Sequence, residues 1–170
     1  MELPDWGLAA AYWLHMLATV AWLGGLASLA IFVIPSARST LESRQYAQFL
    51  GKVQGRIQQV GWFSLAVLTA TGMFQMSAHP AYDGFLAIDS PWASAILAKH
   101  VVIGLMVITS AYMTWGLTPA LRRLALLQSA GGQVDQAQQA ALQRKEGLAL
   151  RANMILSVVV LLLTALARAA

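Results

Sequence analysis

The chain has 170 residues, a formal net charge of +4 and no cysteine; 58% of its residues are hydrophobic and only 11% are charged. Soluble domains run at about 45–50% apolar and about 25% charged residues, so this balance excludes a soluble enzyme and a disordered tail and makes a single membrane-embedded domain the expectation. The lack of cysteine excludes disulfides, Cys-ligated zinc, iron–sulfur clusters and covalently attached c-type haem.

Four apolar stretches follow in chain order. The first covers about residues 8–34 and holds one ionisable residue, His15. It lacks a basic leading region and is too long for the apolar part of a signal peptide. The second covers about 57–78. The third covers about 92–117 and carries Lys99 and His100. The fourth covers about 150–167, with Arg151 at its entry and Arg168 at its exit. A bilayer core needs about 20 apolar residues per helix, so each stretch predicts one crossing. Their periodicity is helical and nothing alternates as barrel strands do. The expected fold is therefore an all-α, four-helix membrane bundle. Residues 39–56 predict an amphipathic extension of the second helix, and residues 133–148 an extension of the fourth after a break at Gly131-Gly132. Pro35 and Pro119 are expected to end the first and third helices.

Of the 11 basic residues, all but Lys99 and Arg168 fall in or beside the two connections that follow the first and third stretches. Glu2, Asp5, Asp83 and Asp89 lie at the other end. The positive-inside rule then puts both basic connections in the cytoplasm and both termini outside, in a cytoplasmic (inner) membrane. The cations serve topology and lipid contact, and no nucleic-acid partner is implied.

Ionisable residues inside a membrane are functional candidates. His15 lies nine residues after Trp6 and His100 eight after Trp92, two tryptophans placed where an outer aromatic belt is expected. At about 1.5 Å per residue both histidines reach roughly 12–14 Å from that belt, at matching depth in the outer half. Met73, Met76 and His79 form a further row at the outer end of the second helix, while Met113 and Met154 are sparse candidates in the inner half. Imidazole and thioether ligate haem iron and Cu(I) alike.

Three readings compete. In the first, His15 and His100 are axial ligands of one b-type haem, with Gly104 leaving room for the porphyrin, Trp22 on a ring edge and Lys99 reaching a propionate. The role is then electron transfer, within a larger redox complex or a homo-oligomer rather than as a stand-alone enzyme. In the second, His15 and His100 handle copper with Met73, Met76 and His79. In the third, the chain is a cofactor-free accessory subunit, with histidines bonded to neighbouring helices and methionines filling gaps. Thr69, Thr71, Thr109, Ser110 and Thr114 are expected to bond their own helix carbonyls, and Arg151 and Asn153 to anchor the entry of the fourth helix.

The segments WLHMLATVAWLGGLASLAIFVIP, AILAKHVVIGLMVITSAYMTWGLTPALRR and LRANMILSVVVLLLTALA together resemble the four-helix core of the copper-resistance protein D (CopD) family. That resemblance implies a membrane helical bundle with a metal or haem role. More distantly, a His in the first helix and a Lys in the third are similar to HemJ-type protoporphyrinogen oxidases, which would carry over to His15 and Lys99. Here His100 follows Lys99 directly and is the better second ligand.

Overall fold

The computed structural model describes residues 5–170, and for Asp5, Ser43, Arg44, Ala47 and Ser129 the backbone only. Glu2, part of the expected acidic end, lies outside the described residues. Every regular element among the described residues is helical. Helix α1 (Asp5–Ser28) runs through a π-turn segment, Leu29–Val33, into α2 (Ile34–Thr40). Helix α3 (Ser43–Ser77) follows after a two-residue connection. Helix α4 (Pro91–Ala111) runs through a second π segment, Tyr112–Leu117, into α5 (Thr118–Ser129), and α6 is Gln136–Ala169.

Neither proline ends its helix, which corrects the sequence expectation. Proline removes one backbone donor and crowds the carbonyl four residues back. In both places a wide turn immediately precedes it. Ile34 N–H bonds Leu29 O before Pro35, and Thr118 N–H bonds Met113 O before Pro119. The i→i−5 pairing loosens the backbone by one residue, so the helix passes through the proline instead of stopping. The stop falls later: after α5 the chain reverses at Gly131, whose φ of +77° suits only glycine. Ser90 Oγ accepts from Ala93 N–H at 3.1 Å to start α4, and Asp135 Oδ1 accepts from Ala137 N–H at 2.9 Å to start α6. The two extensions expected from the sequence are present as the first turns of α3 and α6, each continuous with the apolar part of its helix.

The helices pack as two pairs, α1 against α3 and α4 against α6, joined through lesser contacts between α1 and α6 and between α3 and α5. One core cluster gathers Trp22, Leu26, Met106 and Val160; another gathers Leu29, Leu50, Met113, Leu117, Ala149 and Leu150. Large apolar side chains such as Val20, Phe32, Phe63, Ile108, Ile155 and Val158 point outward. Buried positions instead include Gln54, Ser64, Thr71, Glu146, Asn153 and Ser157. An apolar exterior around a partly polar interior is stable in lipid, where polar groups must find partners within the bundle.

Three helical runs, Trp6–Thr40, Pro91–Gln128 and Gln136–Ala169, are long and apolar enough to cross a membrane. Helix α3 has the length, 35 residues, but glutamines, threonines and glycines dilute its apolar stretch.

Candidate functional site

One end of the bundle, under the loop formed by residues 78–90, collects the predicted histidines. His15 on α1 is half-buried, and its Nδ1 lies 2.8 Å from Thr71 Oγ1 on α3. The Thr71 hydroxyl has one proton, which it donates to Val67 O at 2.7 Å. It therefore accepts from His15 Nδ1–H, and the neutral ring is left with its lone pair on Nε2. His100 on α4 reaches the same state by another route. Its Nδ1 is 2.7 Å from Ile96 O, an atom that only accepts, so His100 also keeps Nε2 free. Both tautomers are inferred from the partners. Metal-binding histidines are held in this way, with the second ring nitrogen donating to an oxygen.

Neighbouring residues fix the two rings. A Cβ added at Gly72 would lie 3.3 Å from His15 Cε1, so the α1–α3 interface is open at this point only because the residue is glycine. Gln75 Nε2 donates to Ala11 O at 3.1 Å, tying α3 to α1 one turn further along. Phe85 from the loop meets His100 edge-on, with ring centres 5.0 Å apart. Lys99 is half-buried, and both it and His100 lie within electrostatic reach of His15. Arg168 at the end of α6 acts on Lys99 in turn and sits 5.0 Å above the Tyr12 ring. Two cations, Lys99 and Arg168, thus stand near the histidines, beneath a loop that carries Asp83 and Asp89.

The other predicted residues are spread more widely. Trp22 is buried in the core, where a Cβ at Gly61 would come within 3.3 Å of its ring. A Cβ at Gly104 would meet nothing within 4 Å. Met73 faces outward at 59% exposed while Met76 is buried at 7%. His79 lies beyond the end of α3, stacked on Trp92 at 4.0 Å. Its Nδ1 accepts from Ala81 N–H at 3.2 Å, so its neutral ring protonates at Nε2, the reverse of the other two histidines. Among the described residues no three His, Asp or Glu side chains converge as a metal cage.

Further polar groups are placed in ways the sequence alone did not indicate. Asn153 is completely buried, donates to Ser110 Oγ at 3.1 Å and leaves Oδ1 without a partner. Ser110 and Gln54, Gln58 and Thr114 line a small cavity of about 50 Å³ between the two helix pairs. Glu146 turns inward from α6 and accepts from Gln54 Nε2 at 2.5 Å. Burial pushes its carboxyl above the usual carboxylate range, with Gln54 and Arg38 opposing that rise more weakly. The signal available on α3 was spacing: Gln54 and Gln58, and again Thr71 and Gln75, are polar pairs four residues apart, each sharing one helix face.

Long apolar helices, an apolar exterior and an interior fastened by hydrogen bonds define a multi-pass helical membrane protein. The family model for copper resistance protein D matches residues 51–167. The chain belongs to that family. The match begins inside α3, so Thr71, Lys99, His100, Glu146 and Asn153 lie within it and His15 lies before it. No curated protein and no solved structure matches the chain.

Proposed function

We propose that this chain handles copper at the outer side of a cytoplasmic membrane, with His15 and His100 presenting Nε2 to a monovalent copper cargo. The observation that carries the reading is the shared tautomer: two intramembrane histidines on different helices each commit Nδ1–H to an oxygen and keep Nε2 free. Imidazole is a good ligand for copper, and two such donors that, among the described residues, join no metal-holding cluster of carboxylates suit a soft monovalent ion better than a hard divalent one. Membership of the copper-resistance family supports the same choice.

In this reading α3 is the fourth crossing. Its polar residues are the ones that bond across the bundle, Gln54 to Glu146, Gln58 to Thr118, Thr71 to His15 and Gln75 to Ala11. The face left toward lipid carries Val60, Phe63 and Met73. Basic residues cluster at the end opposite the histidines, and the positive-inside rule supports assigning that end to the cytoplasm and both termini to the outside.

A b-type haem is a second reading, favoured by one observation. Lys99 and Arg168 bring two cations close to the histidines, which costs an incoming cation but complements propionates. The donor set fits: His15 and His100 would supply axial nitrogens, Lys99 a propionate partner, and Gly104 an open helix face. Bound there, the haem would supply one-electron chemistry, and a membrane redox partner would be needed to complete the path. Trp22 and Gly72 are already engaged, by Gly61 and by the His15 ring respectively.

The test is a pair of measurements on the detergent-purified protein. Under reducing conditions Cu(I) is titrated against a chromophoric chelator; the wild type is expected to compete, and His15→Ala and His100→Ala each to lose about tenfold or more in affinity. An absorption spectrum, oxidised and then dithionite-reduced, reads haem directly. A Soret band lost in both variants would replace the copper reading with the haem one. Binding of neither would leave an accessory subunit without a cofactor.

A further inference from the structure

At the end opposite the histidines a cleft of about 1050 Å³ opens between α2–α3 on one side and α5–α6 on the other. Three exposed cations from three elements line it: Arg38 of α2, Lys52 of α3 and Arg122 of α5. None of them makes an ion pair with a described residue. Arg38 is held in place by Tyr46, its Nε donating to the phenol oxygen at 3.2 Å and its guanidinium lying 5.9 Å from the ring centre. Among the described residues the one acidic side chain on the lining is Glu146, only 4% exposed and hydrogen-bonded to Gln54. Even when ionised, that single carboxylate leaves the three cations in excess. Leu41, Leu50 and Leu121 supply an apolar wall to the same cleft.

We propose that this cleft binds the headgroup of an anionic phospholipid, its phosphate among Arg38, Lys52 and Arg122 and the start of its acyl chains along the leucines. Charge complementarity selects an anion, and basic pockets between membrane helices at the cytoplasmic side take such headgroups. The leucines select a lipid over a soluble anion, which has no use for an apolar wall. A lipid lodged there would add to the bonds from Gln54 to Glu146 and from Gln58 to Thr118 that already join α3 to α6 and α5. This inference does not depend on which metal or cofactor the histidines take.

The test uses the full-length protein in mixed micelles holding equal amounts of phosphatidylglycerol and phosphatidylcholine, read by native mass spectrometry. Phosphatidylglycerol is expected to be retained about fivefold or more over phosphatidylcholine, as suits several cations acting together. The triple variant Arg38→Gln, Lys52→Gln, Arg122→Gln is expected to lose that preference. The double variant Arg144→Gln, Lys145→Gln removes charge from the same end but outside the cleft, and is expected to keep it. Equal retention of both lipids by the wild type would overturn the proposal. So would preference surviving in the triple variant, or falling as far in the double variant. Displacement of the lipid by millimolar inorganic phosphate would reassign the cleft to a soluble anion and overturn it as well.

Discussion

Thr71 takes the Nδ1 proton of His15 across the α1–α3 interface at 2.8 Å, and can do so because its own proton goes to Val67 O one turn back. The threonine thus sets which nitrogen of the histidine is free. Replacing it with valine keeps the shape and removes the hydroxyl, leaving a half-buried N–H without a partner. The expected cost is about 1–3 kcal/mol of stability and a fall of about 10–100-fold in affinity for a metal on Nε2. Thr71→Ser is expected to restore most of both. Thermal unfolding and Cu(I) competition on the three proteins check this; equal Cu(I) affinity in Thr71→Val would detach Thr71 from the site.

Gly72 and Gly104 separate the two candidate ligands. A methyl group at Gly72 falls 3.3 Å from His15 Cε1, so Gly72→Ala is expected to push the ring aside and weaken binding of either copper or haem. A methyl group at Gly104 meets nothing, and in a helix such a change is expected to be neutral or to stabilise by up to about 1 kcal/mol. If copper is the cargo, Gly104→Ala leaves affinity unchanged. If a porphyrin lies along α4, the same variant retains less haem. Metal and pyridine-haem assays on both variants give the answer.

The helical runs, the break before α6 and the polar extensions were legible because each follows from a local property: apolar length, a Gly-Gly pair, helical period. What was not legible depends on pairing between helices. Pro35 and Pro119 looked like stops, and the wide turns ahead of them have no sequence marker. Thr71 was expected to bond its own helix and does so, but its second bond needs His15 from 56 residues away. Glu146 sits in the run Arg144-Lys145-Glu146, which reads as a solvated face, yet one residue of rotation turns it inward to Gln54. Asn153 looked like an entry anchor and is wholly buried beside Ser110. Met73 and Met76 are spaced for one helix face, but packing leaves Met73 outside and Met76 inside.

Trp22 is the largest side chain in the cluster with Leu26, Met106 and Val160, and it fits because Gly61 has no side chain. Trp22→Ala is expected to cost about 3–5 kcal/mol through the cavity it leaves. Gly61→Ala is expected to destabilise less, since the ring can tilt by a few tenths of an ångström. Neither residue touches the free Nε2 atoms, so Cu(I) affinity in protein that remains folded is expected to stay within about threefold of wild type, the range of an indirect effect. A loss of metal binding in folded Trp22→Ala that matches His15→Ala would place the ring in the site itself.

Glu146 lies on the polar part of α6, ahead of the apolar stretch that begins near Leu150, and its carboxyl is raised above its ordinary value chiefly by burial. The folded protein therefore holds this proton more tightly than the unfolded chain does. The stability it contributes is fully present below the ordinary glutamate pKa of about 4.3 and is lost as pH rises through the raised folded value. Each unit of that rise corresponds to about 1.4 kcal/mol. Glu146→Gln keeps an oxygen for Gln54 and has no proton to lose. The wild type is expected to lose thermal stability as pH climbs from about 4 toward neutrality, and the variant to stay flatter over the same window and to be at least as stable at its upper end. Unfolding midpoints measured for both proteins in one detergent across that range check the sign. Identical slopes would mean that water in the cleft solvates the carboxylate as well as bulk water does.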